Sequence, residues 1–145
     1  RRHYALTAGE RRLFDQLGSL SPGQFRSLLR LGRMTEADGR IELTRKGEAV
    51  EKLYYLTEGE AEIQLDSGTT LRRSETFIGE IAFLTGNPAS ATVMVDKGAR
   101  YFSWPGDALR DAFRRQPELE VALERAMNRD MAGKVAGRPV RSGAA

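Results

Sequence analysis

Phe77-Ile-Gly-Glu-Ile-Ala-Phe-Leu-Thr-Gly-Asn-Pro-Ala-Ser-Ala-Thr-Val93 joins a glycine-led apolar run to a Gly-Asn-Pro turn, a few small residues and a β-branched segment. Gly79 permits close backbone approach, because a residue without Cβ reaches conformations that others do not. The run from Glu80 to Leu84 is too short to be helical alone, yet long enough for one or two turns packed on a sheet. The start of such a helix directs unpaired N–H groups and the positive end of the backbone dipole toward an anion. The stretch reads as a helical insertion between strands and as a candidate anion cradle.

Strands flank it on both sides. Over residues 40–71, Ile41 and Leu43 alternate with polar neighbours, Lys46-Gly47-Glu48 makes a turn, and Leu53-Tyr54-Tyr55-Leu56 reads as a buried strand. Glu58-Gly59 turns again, Ala61, Ile63 and Leu65 alternate with Glu60, Glu62 and Gln64, and Asp66-Ser67-Gly68 turns once more. Sheet resumes at residues 92–95 and 100–104. Short strands at this spacing predict an antiparallel sandwich or barrel.

Helices close both ends. Thr7-Ala-Gly-Glu10 is a capping box before Leu13, Phe14 and Leu17. Ser21-Pro22-Gly23-Gln24 is a second, with proline at the first helical position, before Phe25, Leu28, Leu29 and Leu31; Gly32 ends that helix. Beyond Trp104, Pro105 precedes a helix carrying Ala108, Leu109, Ala112 and Phe113, and Pro117 opens another carrying Leu119, Leu123, Met127 and Met131. The last apolar stripe reads as packing on its own barrel, with a lid over a ligand or a homodimer seam as the alternatives. The predicted fold is mainly β with flanking helices: an antiparallel β-roll or jelly-roll barrel with N-terminal helices, a short inserted helix and C-terminal helices. One domain covers residues 1–135, and residues 136–145 form a disordered basic tail.

Composition removes most catalytic machinery. With no cysteine and a single histidine, His3, the chain has no thiol nucleophile, no Cys-rich zinc site and no Ser-His-Asp triad. Glu58, Glu60 and Glu62 read as the wet face of a strand, so no nucleophile and base pair stands out, and a noncatalytic role is expected. The net charge of +3 comes from bases interleaved with acids, as in Arg110-Asp111 and Arg114-Arg115-Gln116-Pro117-Glu118, which is a solvated mixed surface rather than a nucleic-acid face. No apolar run is long enough to span a bilayer. A cytoplasmic domain is expected, and the opening Arg1-Arg2 leaves room for a membrane tether upstream.

The order of elements and the residues at the turns resemble the cyclic-nucleotide-binding domain family. Its β-roll carries a phosphate-binding cassette of the form Phe-Gly-Glu-hydrophobic-Ala, a spacer, then Arg-small-Ala. Gly47-Glu48, Leu53-Tyr54-Tyr55-Leu56 and Gly59-Glu60 are similar to the family's strands and turns, and Gly79-Glu80-Ile81-Ala82 with Gly86-Asn87-Pro88 to the cassette; the resemblance covers residues 6–135. It implies a cyclic nucleotide, cAMP or cGMP, as ligand and no other cofactor. Glu80 would accept from the ribose 2′-hydroxyl, and amides at Gly79, Ile81 and Ala82 would hold the phosphate. The arginine position is Ala89, with Ser90, Ala91 and Thr92 completing the contacting set. A charge-assisted hydrogen bond is worth about 1.5–3 kcal/mol and arginine offers two, so its loss weakens binding about a hundredfold. Arg72, Arg73 or another cation reaching the pocket would restore the charge.

Popeye-type domains, which resemble this family, also lack the arginine and follow transmembrane helices. Arg100-Tyr101-Phe102-Ser103-Trp104-Pro105 looks like their Tyr-x-x-Trp strand, and Arg129-Asp130-Met131-Ala132-Gly133-Lys134-Val135 like their closing Asp-x-x-x-Lys helix. Tyr101 and Trp104 also read as plain core aromatics with polar tips. The resulting expectation is a noncatalytic regulatory sensor with weak or altered nucleotide binding. One alternative is an interaction or dimerisation module with a vestigial cassette. Another is the sensor half of a catabolite-activator type transcription factor, against which stands the short sequence after Val135.

Overall fold

The computed structural model describes residues 6–136. Arg1, Arg2, His3 and the basic segment from Arg138 to Arg141 lie outside the described residues, as does the predicted tail except Ala136. That residue belongs to the last helix rather than to the tail.

Both capping boxes form. Thr7 Oγ1 accepts from the Glu10 amide while Glu10 accepts from the Thr7 amide, starting α1 (Ala8–Leu17); Ser21 and Gln24 do the same for α2 (Pro22–Arg30). Eight strands follow, with a helix inserted: β1 (Arg33–Glu36), β2 (Ile41–Thr44), β3 (Lys52–Glu58), β4 (Ala61–Gln64), β5 (Thr70–Arg73), β6 (Phe77–Ile78), α3 (Glu80–Thr85), β7 (Thr92–Val95) and β8 (Arg100–Pro105). They pair antiparallel as two four-stranded sheets, ordered β1-β8-β3-β6 and β2-β7-β4-β5. Two helices, α4 (Gly106–Arg115) and α5 (Pro117–Ala136), complete the chain.

The first sheet is buried on both faces, which explains why its central strands are apolar almost without alternation. Successive side chains on a strand point to opposite faces. Leu53, Tyr55, Phe77, Phe102 and Trp104 therefore join one core with Leu13, Phe25, Leu109 and Leu123 from the helices. Leu56, Ile78 and Tyr101 turn to the other side and meet Ile63, Val93 and Val95 of the second sheet. Trp104 is fully buried and its indole N–H donates to the Leu28 carbonyl at 2.9 Å, while Tyr101 packs edge-on against Tyr54.

Two details differ from expectation. β1 precedes the predicted first strand; its residues alternate too weakly to mark it, and it is held by pairing with β8. Gly32 is set by packing more than by helix termination: α2 is capped at Leu31, and a Cβ on Gly32 would lie 2.7 Å from the Trp104 indole. The α5 stripe packs on its own barrel as read, with Leu119, Leu123 and Met127 wholly buried in the protein's own core and Met131 on the wall of a cavity beside α3. Among the described residues, no helix is long and apolar enough to cross a membrane.

Candidate functional site

A cavity of about 820 Å³ opens beside α3. Its walls come from the end of β2, β4 and the turn after it, β6 with α3, the segment 89–91 and the last turns of α5. Gly79, Glu80, Ile81, Ala82, Ala89, Ser90 and Ala91 all line it. Thr92 does not: its hydroxyl accepts from the Lys46 amide at 3.0 Å and secures the neighbouring turn instead.

Local geometry explains the residue choices. Gly79 caps α3 with φ of 85°, a left-handed conformation, and a Cβ there would sit 3.1 Å from the Lys52 carbonyl oxygen. Side-chain-bearing residues rarely tolerate either condition, so the entry to α3 requires glycine. On the return, the Ala89 amide donates to the Glu48 carbonyl and the Ala89 carbonyl accepts from the Gly47 amide, both at 2.9 Å. Thr44 Oγ1 donates to the Ala91 carbonyl at 2.9 Å. The Lys46-Gly47-Glu48 turn thus clamps the return segment, and Ala89 is buried with only a methyl group turned to its surroundings.

Glu80 is 4 % exposed. Lys134, reaching across from α5, donates to Glu80 Oε2 at 2.5 Å and to the Phe77 carbonyl at 2.6 Å. One helical turn earlier, Asp130 Oδ2 accepts from the Phe77 amide at 2.9 Å and from Thr76 Oγ1 at 2.8 Å, and lies 3.4 Å from Lys134 Nζ. Residues at i and i+4 share a helix face, so Asp130 and Lys134 together grip both backbone polar groups of Phe77. Burial pushes the Glu80 carboxyl above its ordinary range; the Lys134 charge and hydrogen bond pull it back, as does its own backbone amide, and the Asp130 charge adds to the rise.

The cations named from sequence go elsewhere. Arg72 pairs with Glu62 at 3.0 Å, and the Arg73 guanidinium lies where a side chain at Gly133 would otherwise stand. Glu62 is correspondingly more than a wet-face residue: Arg40 and Arg72 both bind it, and their hydrogen bonds lower its carboxyl to about 2. Asp130 and Lys134 were legible only as a short resemblance on the final helix. The i, i+4 pairing of an acid and a base was visible; its target, more than fifty residues away in sequence, was not.

A family model described as the cyclic nucleotide-binding domain matches residues 40–116. No curated protein sequence matches the chain at a significant level. Among solved structures, a cyclic nucleotide-binding domain from Methylobacillus flagellatus is similar, with a TM-score of 0.73 at 18 % identity over 86 % of this chain and 79 % of that one. The catabolite activator protein of Thermus thermophilus aligns with a TM-score of 0.67 at 14 % identity, covering 83 % of this chain and 60 % of that one. The regulatory domain of Toxoplasma gondii PKA, solved with cAMP, aligns with a TM-score of 0.57 at 20 % identity, covering 75 % and 46 %. At these identities the structures speak for the fold, and the sequence match over half the chain for kinship. With its two antiparallel sheets, inserted α3 and helices at both ends, the chain belongs to the cyclic nucleotide-binding domain family.

Proposed function

We propose that this domain is a noncatalytic sensor whose cavity takes a cyclic nucleotide, cAMP or cGMP, with low affinity. The observation that carries the reading is the convergence of Glu80, Ala82 and Ala89 on one wall system around about 820 Å³, a volume in the range of about 300–1,000 Å³ typical of small-molecule sites. Glu80 offers a hydroxyl acceptor, while the methyl of Ala89 offers nothing to a phosphate. Family membership supports a regulatory role, and the contacts of Asp130 and Lys134 with β6 and α3 supply a route from cavity to helix. A ligand that alters those contacts shifts the population of α5 positions by its differential affinity for them.

Calorimetry with cAMP and cGMP into the millimolar range tests the ligand. Weak heat of binding is expected; neither heat nor a thermal shift with either nucleotide refutes it. Ala89→Arg should tighten cAMP binding about a hundredfold, because two charge-assisted hydrogen bonds are regained.

A second reading, a ligand-free interaction module, is favoured by one feature: Glu80 already has a structural task in holding Lys134. On that reading Ala89→Arg leaves cAMP affinity unchanged.

A further inference from the structure

We propose that Lys134 is the counter-charge of the ligand site, supplied from the end of α5 in place of the cation that residue 89 lacks. The inference rests on the cyclic-nucleotide reading above. Among the described residues, Lys134 is the one cationic side chain on the cavity wall. Neighbouring cations stand off the wall: Lys46 pairs with Asp66 at its edge, Arg72 pairs with Glu62, and the Arg73 guanidinium lies against Gly133. Nor does a change of backbone at residue 89 bring a charge closer, since its amide and carbonyl are both bonded to the Lys46-Gly47-Glu48 turn.

The coordination of the ammonium leaves it able to act. Lysine carries three donors. Two are taken, at 2.6 Å by the Phe77 carbonyl and at 2.5 Å by Glu80, whereas Asp130 Oδ2 approaches only to 3.4 Å and already accepts from Thr76 and Phe77. The third donor is available to a ligand acceptor in the cavity that Lys134 borders. Because Lys134 and Glu80 touch, one molecule can meet both, its hydroxyl donating to the carboxylate and its anionic oxygen accepting from the ammonium.

Charge count narrows the ligand class. On the wall, Asp66 is paired with Lys46 and Glu80 with Lys134. A singly charged phosphodiester bearing a free ribose hydroxyl meets less repulsion from these carboxylates than a doubly charged phosphate monoester does.

Calorimetry of cAMP against adenosine, which keeps the base and ribose hydroxyls without the phosphate, separates charge from shape. In Lys134→Gln, which is neutral but still a donor, cAMP affinity should fall about tenfold or more while adenosine affinity holds, and Lys134→Arg should retain cAMP. If both ligands weaken alike, or cAMP tightens, Lys134 merely holds Glu80 and the proposal is overturned. Should Lys134→Gln fail to fold, the unmodified protein with 13C-labelled lysine still decides, its lysines being Lys46, Lys52, Lys97 and Lys134. The Lys134 Cε resonance is expected to move with cAMP and not with adenosine; equal movement with both, or none with cAMP bound, overturns it. Absence of any cAMP binding to the unmodified protein removes the nucleotide reading and this one together, whereas binding indifferent to the charge of residue 134 removes only this one.

Discussion

Two glutamates of this domain each meet cations, and solvent makes them opposites. Glu62 is held by Arg40 and Arg72, whose guanidinium groups are about half exposed, and hydrogen bonding from them sets its low carboxyl value of about 2. Glu80 is held by Lys134, whose side chain is 14 % exposed, and there burial outweighs the cation and raises the carboxyl instead. The same pairing chemistry thus stabilises the charged form in one place and leaves it costly in the other. A buried pair is therefore a poor source of stability but a sensitive one, since removing a single partner strands the other.

The largest expected effect lies in the dry cluster. Asp130→Ala orphans the buried Phe77 amide, leaves Thr76 Oγ1 only its longer 3.3 Å bond to the Phe77 carbonyl, and should cost about 3 kcal/mol in urea denaturation. A loss below about 1 kcal/mol would erase the contrast between the clusters.

Next comes the dependence on pH, whose sign differs between the two. Glu62 titrates lower in the fold than its ordinary 4.5, so its contribution is present above pH 4.5 and is lost as pH falls toward 2. Glu80 titrates higher in the fold, so its contribution is full below its unfolded value and is lost as pH rises through its folded value. The stability advantage of the unmodified protein over Glu62→Gln should grow with rising pH, and that over Glu80→Gln should shrink. Parallel slopes in urea midpoints would show that the two sites are electrostatically alike.

The smallest effect is expected at Arg72. Arg40 still bridges Glu62 and Asp96 in its absence, and exposed pairs contribute little. Arg72→Ala should leave the melting temperature unchanged within error by calorimetry, and a clear drop would mean that the network acts as a unit.

How much of this was legible in sequence depends on the range of the contact. Capping boxes at Thr7 and Ser21 and turns at Gly47, Gly59 and Gly68 are local statements, and each stands where its residues put it. The apolar block Leu53-Tyr54-Tyr55-Leu56 identified a strand buried on both faces for the same reason. β1 escaped because an edge strand of four residues, none of them fully buried, owes its existence to β8 rather than to its own pattern. In the candidate site, Gly79 and Glu80 were marked by the cassette spacing, and the absence of arginine by Ala89. Lys134 was hidden because a charged residue near a helix end reads as solvated until the fold brings Phe77 and Glu80 beneath it.

The grip of Asp130 and Lys134 on Phe77 also turns α5 into a measure of length. Each added residue advances a helix by about 1.5 Å and rotates it by about 100°. One insertion between Pro117 and Asp130 would carry both side chains off β6 while Leu119 kept its place at the helix start. Substitution along this segment is a matter of composition, but its residue count is fixed by both phase and rise, and relatives that keep the Asp-x-x-x-Lys pair on the same strand should keep the same count there.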